Sequence, residues 1–209
     1  GRHSAHRVSL RTVGEHQVSN AVAAAAAASC ALTRASNRKA DPDRVARSLN
    51  QATTRSPLRM QIEERSDGLV LVNDCYNANP DSMAAALRTV GDILTRRADS
   101  DPHTRGVAVL GDMLELGEQS AQRHRDVGEL AVSRGFDEIL CIGQYAEDLA
   151  AGATSAGGRA RVVTADEAAD AVEWSEHDVV LVKASRGLEL EQVSERILAD
   201  DVHEQGVQQ

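Results

Sequence analysis

Residues 106–142 read GVAVLGDMLELGEQSAQRHRDVGELAVSRGFDEILCI, and this stretch decides the fold. Gly106 to Leu110 is an apolar run of strand length that ends on the polar Gly111-Asp112-Met113. Glu118 to Arg134 then carries helical spacing and stops at Gly135, a natural C-terminal cap. Glu138 to Ile142 is a second apolar run, ending at Gly143. A strand, a helix and a strand of these lengths form a βαβ unit, whose two strands lie parallel.

The same alternation continues in both directions. Upstream, Leu69 to Val72 is a strand, Asn79-Pro80-Asp81-Ser82 a helix-start signal, and Met83 to Leu94 a helix. Downstream come a helix from Gln144 to Ala151, a strand at Arg161 to Val163, a helix from Ala165 to Trp174, a strand at Asp178 to Val182 and a helix from Leu188 to Ala199. Such alternation predicts an α/β fold with a mostly parallel, doubly wound sheet covered on both faces. The first residues differ in kind. Val8, Leu10 and Val13 suggest a short strand, and a helix from Val18 to Thr33 is dominated by alanine. Asp41-Pro42 then opens a shorter helix whose apolar face is Val45 to Leu49. The pattern changes at Ser56-Pro57, which predicts a domain boundary separating residues 1–58 from 59–209.

Composition narrows the function. The 209 residues hold one Trp, two Tyr and one Phe, so the core must be built from Ala, Val, Leu and Ile. A formal net charge of -9 argues against a nucleic-acid groove or an anionic membrane surface as the main partner. No apolar run reaches the roughly 18 residues of a membrane span. Cys30, Cys75 and Cys141 have no metal-site spacing, so no metal ligand set is read here; a reducing cytoplasm is expected.

In a doubly wound sheet ligands bind beyond the carboxyl ends of the strands. Those ends are Asn73 to Asn79, Gly111-Asp112-Met113, Gly143-Gln144-Tyr145, Thr164-Ala165 and Lys183-Ala184-Ser185-Arg186. Of 23 basic residues only Lys39 and Lys183 are lysines, and neither lies in a Gly-Lys-Ser or Gly-Lys-Thr phosphate loop. If this chain serves ATP chemistry, that loop belongs to another part of the protein. Gly1 in place of Met leads to the expectation of a cut-out segment with the loop upstream.

Four segments carry a family resemblance. Asn73-Asp74-Cys75-Tyr76-Asn77-Ala78-Asn79-Pro80-Asp81-Ser82-Met83 resembles a D-x-Y-N-A-N-P-x-S-M motif, and Leu110 to Gly117 an L-G-D-M-x-E-L-G motif. Lys183-Ala184-Ser185-Arg186 is similar to a K-G-S-R loop with Ala in place of Gly, and Gly14 to Ala21 to a G-x-H-x-x-x-N-A segment. In this order they resemble the Mur ligases, in the branch that adds D-alanyl-D-alanine. The resemblance implies a Rossmann-like C-terminal domain over 59–209, preceded by the tail of a central ATPase domain over 1–58. It also implies an ATP-dependent ligase that joins D-alanyl-D-alanine to UDP-N-acetylmuramoyl-tripeptide through an acyl phosphate, in the cytoplasm and as a monomer. ATP and Mg²⁺ are the implied cofactors, held mainly by the region carrying the phosphate loop.

Residue by residue, the resemblance places Asn20 near the adenine, Arg59 at the ATP phosphates and Asp74 at the ribose, with Tyr76, Asn77 and Asn79 along the same edge. Arg55 competes with Arg59, because Ser56-Pro57-Leu58 replaces the usual short glycine-containing sequence. Lys183, Ser185 and Arg186 would meet the incoming dipeptide, its carboxylate suiting an arginine fork. His16, Asp112 and His124 also fall on family positions; no residue is assigned to the chemical step. Plainer readings stay open: Asn20 capping the alanine helix, Asn79 holding a turn before Pro80, Asp112 organising its loop, the histidines structural, and Lys183 and Arg186 paired with acids such as Glu189. A related ligase of the same superfamily, adding a different amino acid or adding glutamate to folate as a folylpolyglutamate-type ligase does, or a non-catalytic α/β interaction module, is also compatible.

Overall fold

The computed structural model describes residues 7–10, 16–52 and 58–199, with the His16 side chain outside that set. The chain divides into two compact units, Gly1–Ser56 and Pro57–Gln209.

In the first unit α1 spans His16–Ser36 and α2 spans Pro42–Gln51. Asp41 caps α2 by accepting a hydrogen bond from the Asp43 amide at 3.0 Å, with Pro42 at the first helical position, as the sequence predicts. Ala24, Ala25, Ala28 and Leu32 of α1 face Val45 and Leu49 of α2 across a shallow groove. Val8 and Leu10 form no strand, because no described strand is there to pair with them; Val13 lies outside the described residues.

The second unit is a six-stranded sheet: β1 Gln61–Glu64, β2 Val70–Asn73, β3 Arg105–Gly111, β4 Glu138–Ile142, β5 Arg159–Val162 and β6 Asp178–Lys183. Their order is β1-β2-β6-β3-β4-β5, with β1 antiparallel to β2 and every other pair parallel. The helices are α3 Pro80–Ala98, α4 Ser120–Ser133, α5 Ala146–Ser155, α6 Ala165–Ala168 and α7 Glu191–Ala199. Met83 and Leu87 of α3, Val127 of α4 and Leu149 of α5 pack with Val72, Leu110, Ile139 and Leu181 on one face. Ala168 of α6 and Val193 and Ile197 of α7 pack with Leu71, Val109, Leu140 and Val180 on the other. Successive residues of each central strand thus enter opposite cores, which is why those strands read as unbroken apolar runs. Helices after β2 and β3 lie on one face and the helix after β6, the strand between them, on the other. The carboxyl ends of β2, β6 and β3 therefore border the crevice where the winding reverses.

Several elements depart from the sequence expectation, among them β1, α4, α6 and α7. β1 was not foreseen, since Gln-Ile-Glu-Glu at a mostly exposed edge offers no apolar face. The helix expected from Glu118 opens with a 3-10 turn, Gly117–Gln119, before α4 begins. α6 has its Thr164/Glu167 capping box but ends after four residues, far short of Trp174, whose indole Nε1 donates to the Ala169 carbonyl at 2.6 Å. α7 starts at Glu191 and not at Leu188, because Glu189 adopts a left-handed backbone (φ 49°) that breaks the helix.

At the opposite, amino edge His177 Nδ1 lies 2.8 Å from Asp101 Oδ2. That hydrogen bond raises the His177 pKa above its ordinary value and lowers that of Asp101. The histidine contribution is fully present below its unfolded pKa, roughly 6.5, and is lost as pH rises through the higher folded value; the aspartate contribution is lost as pH falls below roughly 4. The difference in thermal midpoint between the wild type and His177→Gln is therefore expected to be largest at about pH 5 and to vanish in alkali, as melting curves from pH 4 to 9 would read.

Candidate functional site

Three loops, each leaving the carboxyl end of a strand, meet at the crevice. The first, after β2, carries Asp74, Tyr76, Asn77 and Asn79. Asp74 Oδ1 accepts from the Met60 amide at 3.0 Å and Oδ2 from Lys183 Nζ at 2.7 Å. The Tyr76 amide donates to the Leu58 carbonyl at 3.0 Å, so the 58–60 segment is clamped to this loop twice. That clamp sets the Arg59 guanidinium 3.9 Å over the Tyr76 ring, a cation-π contact between two exposed side chains. Leu58 (φ 61°) and Met60 (φ 46°) flank Arg59 in the left-handed region, where glycine would be unstrained. Asn77 is exposed and presents its carbonyl to Lys183. Asn79 is the N-cap of α3: Oδ1 accepts from the Ser82 amide at 2.8 Å while Ser82 Oγ accepts from the Asn79 amide at 3.0 Å. Its turn-holding reading is thus filled, and one side-chain oxygen is spent on it.

Cys75, between these residues, is buried, and desolvation followed by the nearby carboxylates of Glu191 and Asp74 pushes its thiol up to about 12. It is inert filling and not a nucleophile.

The second loop, after β3, is organised by Asp112 and His124. Asp112 accepts from the amides of Gln144 at 2.7 Å and Tyr145 at 2.9 Å, satisfying the approach to α5 and explaining why that helix starts at Ala146 and not at Gln144. A Cβ at Gly143 would lie 2.5 Å from this carboxylate, so only glycine, here at φ 112°, lets the two strand ends come so close. His124 is fully buried; Nε2 accepts from the Met113 amide at 2.9 Å and Nδ1 lies 2.6 Å from the Ser120 carbonyl. Those partners assign the proton to Nδ1 and leave the ring neutral, stacked 4.7 Å from Tyr145. At 3.9 Å, Asp112 Oδ1 and His124 Nε2 are neighbours without a hydrogen bond, since Nε2 is already an acceptor.

The third loop, after β6, carries Ser185 and Arg186. The Ser185 amide donates to the Asp112 carbonyl at 3.0 Å and Ser185 Oγ accepts from the Leu114 amide at 3.3 Å, tying the second and third loops together. Arg186 is 54% exposed, and its Nη1 lies 2.5 Å from Glu191 Oε1. The acid beside Arg186 is therefore Glu191, not the expected Glu189, which the left-handed turn carries away. Glu191 was missed because its partner is set by that turn and not by helical spacing; its Oε2 is buried without a hydrogen-bond partner.

Asn20 belongs to the first unit. α1 starts at His16, so Asn20 lies inside the helix and cannot cap it; its Nδ2 reaches Gln17 Oε1 at 3.2 Å. The His16 side chain and Arg55 lie outside the described residues. Among the described residues no group of three His, Cys, Asp or Glu side chains is placed to hold a metal ion, and no helix is long and apolar enough to cross a membrane.

Comparison with known proteins places this geometry in a lineage. The family described as "Mur ligase, glutamate ligase domain" matches residues 58–186. The UDP-N-acetylmuramoyl-tripeptide--D-alanyl-D-alanine ligase of Mycobacterium bovis is 35% identical, over 93% of this chain and 40% of its own length. Its Bacillus subtilis counterpart is 30% identical, over 87% of this chain and 37% of its own. Among solved structures, MurF from Acinetobacter baumannii superposes with a TM-score of 0.69 at 28% identity, covering 91% of this chain and 39% of that one. MurF ligase from Thermotoga maritima in complex with ADP gives 0.55 at 25% identity, covering 80% and 35%. The chain spans about two fifths of the length of the curated relatives it matches. With the family's domain covering more than half of it and the three motif loops meeting at one crevice, the chain belongs to the Mur ligase family.

Proposed function

We propose that this chain is the C-terminal part of an ATP-dependent cytoplasmic ligase, active as a monomer, that joins D-alanyl-D-alanine to UDP-N-acetylmuramoyl-tripeptide. Residues 1–58 are the tail of its central ATPase domain and 59–209 its Rossmann-like C-terminal domain. The observation that carries this reading is 35% identity over 93% of the chain to a protein that bears that activity in its name. The geometry adds a division of labour. Arg59 and Tyr76 form one exposed platform beside Asp74, suited to a nucleotide's phosphates and ribose, with Asn77 on the same rim. Asp74 has spent one lone pair on each oxygen, so a ribose hydroxyl can still donate to it. Asn79 contributes by capping α3 and fixing that rim.

ATP, when bound, supplies the phosphoryl group that activates the carboxylate of the UDP-linked tripeptide. This chain's own residues bind and orient: Arg186, half exposed and steadied by Glu191, can turn its remaining donors to the dipeptide carboxylate. Asp112, His124 and Ser185 hold the loops on either side of it. No described residue is assigned to Mg²⁺.

Arg186→Ala in the intact enzyme is expected to raise KM for D-alanyl-D-alanine about 10- to 100-fold, the equivalent of one charge-assisted contact, while KM for ATP stays within about twofold. Phosphate release with ATP, the UDP-linked tripeptide and a panel of acceptors is the measurement. A preference for a single amino acid over the dipeptide would identify a sister ligase instead. No acceptor-dependent phosphate release from the intact protein would leave a non-catalytic module. The 209 residues alone, without a phosphate loop, are expected to form no amide bond.

A further inference from the structure

We infer that Lys183 is a positioning residue that locks the nucleotide rim to the dipeptide loop, and not a contact to substrate. The functional half of this inference rests on the ligase reading above; the structural half does not. Lys183 ends β6, the strand inserted between β2 and β3, and its side chain is 1% exposed. An ammonium has three hydrogens and no acceptor. Here all three have partners: Asp74 Oδ2 at 2.7 Å, the Asn77 carbonyl at 2.8 Å and the Asp74 carbonyl at 3.4 Å. No donor is left for a ligand, and the side chain is buried away from solvent.

What the lysine does instead follows from its partners. Asp74 Oδ1 is the acceptor for the Met60 amide, so the carboxylate that Lys183 orients also anchors the residue after Arg59. The chain of contacts therefore runs from the backbone of the 183–186 loop, through the Lys183 ammonium, to Asp74 and Asn77, and on to the 58–60 segment. The Ser185 amide and Oγ extend it through the Asp112 carbonyl and the Leu114 amide to the second loop. One buried cation thus sets the relative positions of Arg59, Asp74 and Arg186, the groups proposed for phosphates, ribose and dipeptide. Arginine is no substitute: its planar guanidinium does not fit three acceptors gathered around one nitrogen. The lysine is buried, and removing it leaves a carboxylate oxygen and two carbonyls without their donor.

The test pairs two readouts on Lys183→Met. In the 209-residue chain, amide hydrogen exchange at Met60 and Tyr76 is expected to accelerate at least tenfold more than at Val109 and Leu140 in the central strands; a lysine that merely supports global stability would accelerate all four alike. In the intact enzyme, KM for ATP and KM for D-alanyl-D-alanine are both expected to rise, each by at least fivefold, and Lys183→Arg is expected not to restore either. Unchanged Met60 exchange, with KM rising for the dipeptide alone, overturns the inference and returns Lys183 to the substrate contacts. If the intact enzyme does not use the dipeptide, the ligase reading fails while the exchange readout still decides the structural claim. Should Lys183→Met not fold, Lys183→Gln takes its place in both readouts; failure of both to fold while Asp74→Ala folds with wild-type exchange at Met60 also overturns it, since the lysine's role would then not run through Asp74.

Discussion

Gly152→Ala is expected to destabilise the second unit by about 3 kcal/mol, the upper end of the overpacking range. Taken as a helix residue, glycine at this position should be the poorer choice by about 1 kcal/mol, so intrinsic propensity predicts a gain from alanine. The packing reverses the sign. A Cβ at Gly152 in α5 would stand 2.0 Å from the Arg125 carbonyl oxygen of α4, and one at Gly128 in α4 would stand 2.1 Å from the Leu149 carbonyl oxygen of α5. Both obstacles are backbone, so no side-chain rotation relieves either, and the two helices would have to separate along their length. Separation would also draw the Gln144 and Tyr145 amides away from the Asp112 carboxylate and loosen the second loop of the site. Urea unfolding of Gly152→Ala beside Ala151→Gly, an exposed neighbour on the same helix, separates the effects. The second variant should lose only about 1 kcal/mol. A midpoint for Gly152→Ala at or above wild type would show that the helices do not meet this closely.

Arg105→Leu should cost about 3–5 kcal/mol, because it strands a buried carboxylate. Asp178, at the start of β6, has a side chain with 0% exposure. It accepts from Arg105 Nε at 2.8 Å, from Arg105 Nη2 at 2.7 Å and from the Ser175 amide at 2.9 Å. The arginine is 30% exposed and keeps access to water when its partner is removed; the aspartate does not. The two deletions are therefore unequal, with Asp178→Leu milder than Arg105→Leu. The double variant should recover part of the loss, since two apolar side chains leave no uncompensated charge. Chemical denaturation of the three variants closes the cycle; equal single-variant losses with no recovery in the double would contradict this account.

Both cases locate the limit of sequence reading. β2, β3, β4 and β6 were legible because they are buried on both faces and so read as continuous apolar runs, and the strand-end rule then pointed to Asp74, Asp112 and the 183–186 loop. β1 was not legible, since an exposed edge strand needs no apolar face, and neither was the early end of α6, where the Trp174 indole takes the Ala169 carbonyl. Asp112 was visible as a polar residue at a strand end, but its task of holding the approach to α5 depends on amides more than thirty residues away.

The sequence by itself determined the alternation of strands and helices, the strand ends at which polar residues gather, and the motifs that the Mur ligases share, because these depend on local periodicity and residue identity. Only the tertiary structure decided which polar groups are already spent. Lys183 reads as a cation at a binding edge, yet its three hydrogens are consumed by residues more than a hundred positions away; Arg186, three residues later, remains half exposed. Burial and long-range hydrogen bonding, which no local pattern encodes, separate the residue that holds the site together from the one free to meet a ligand.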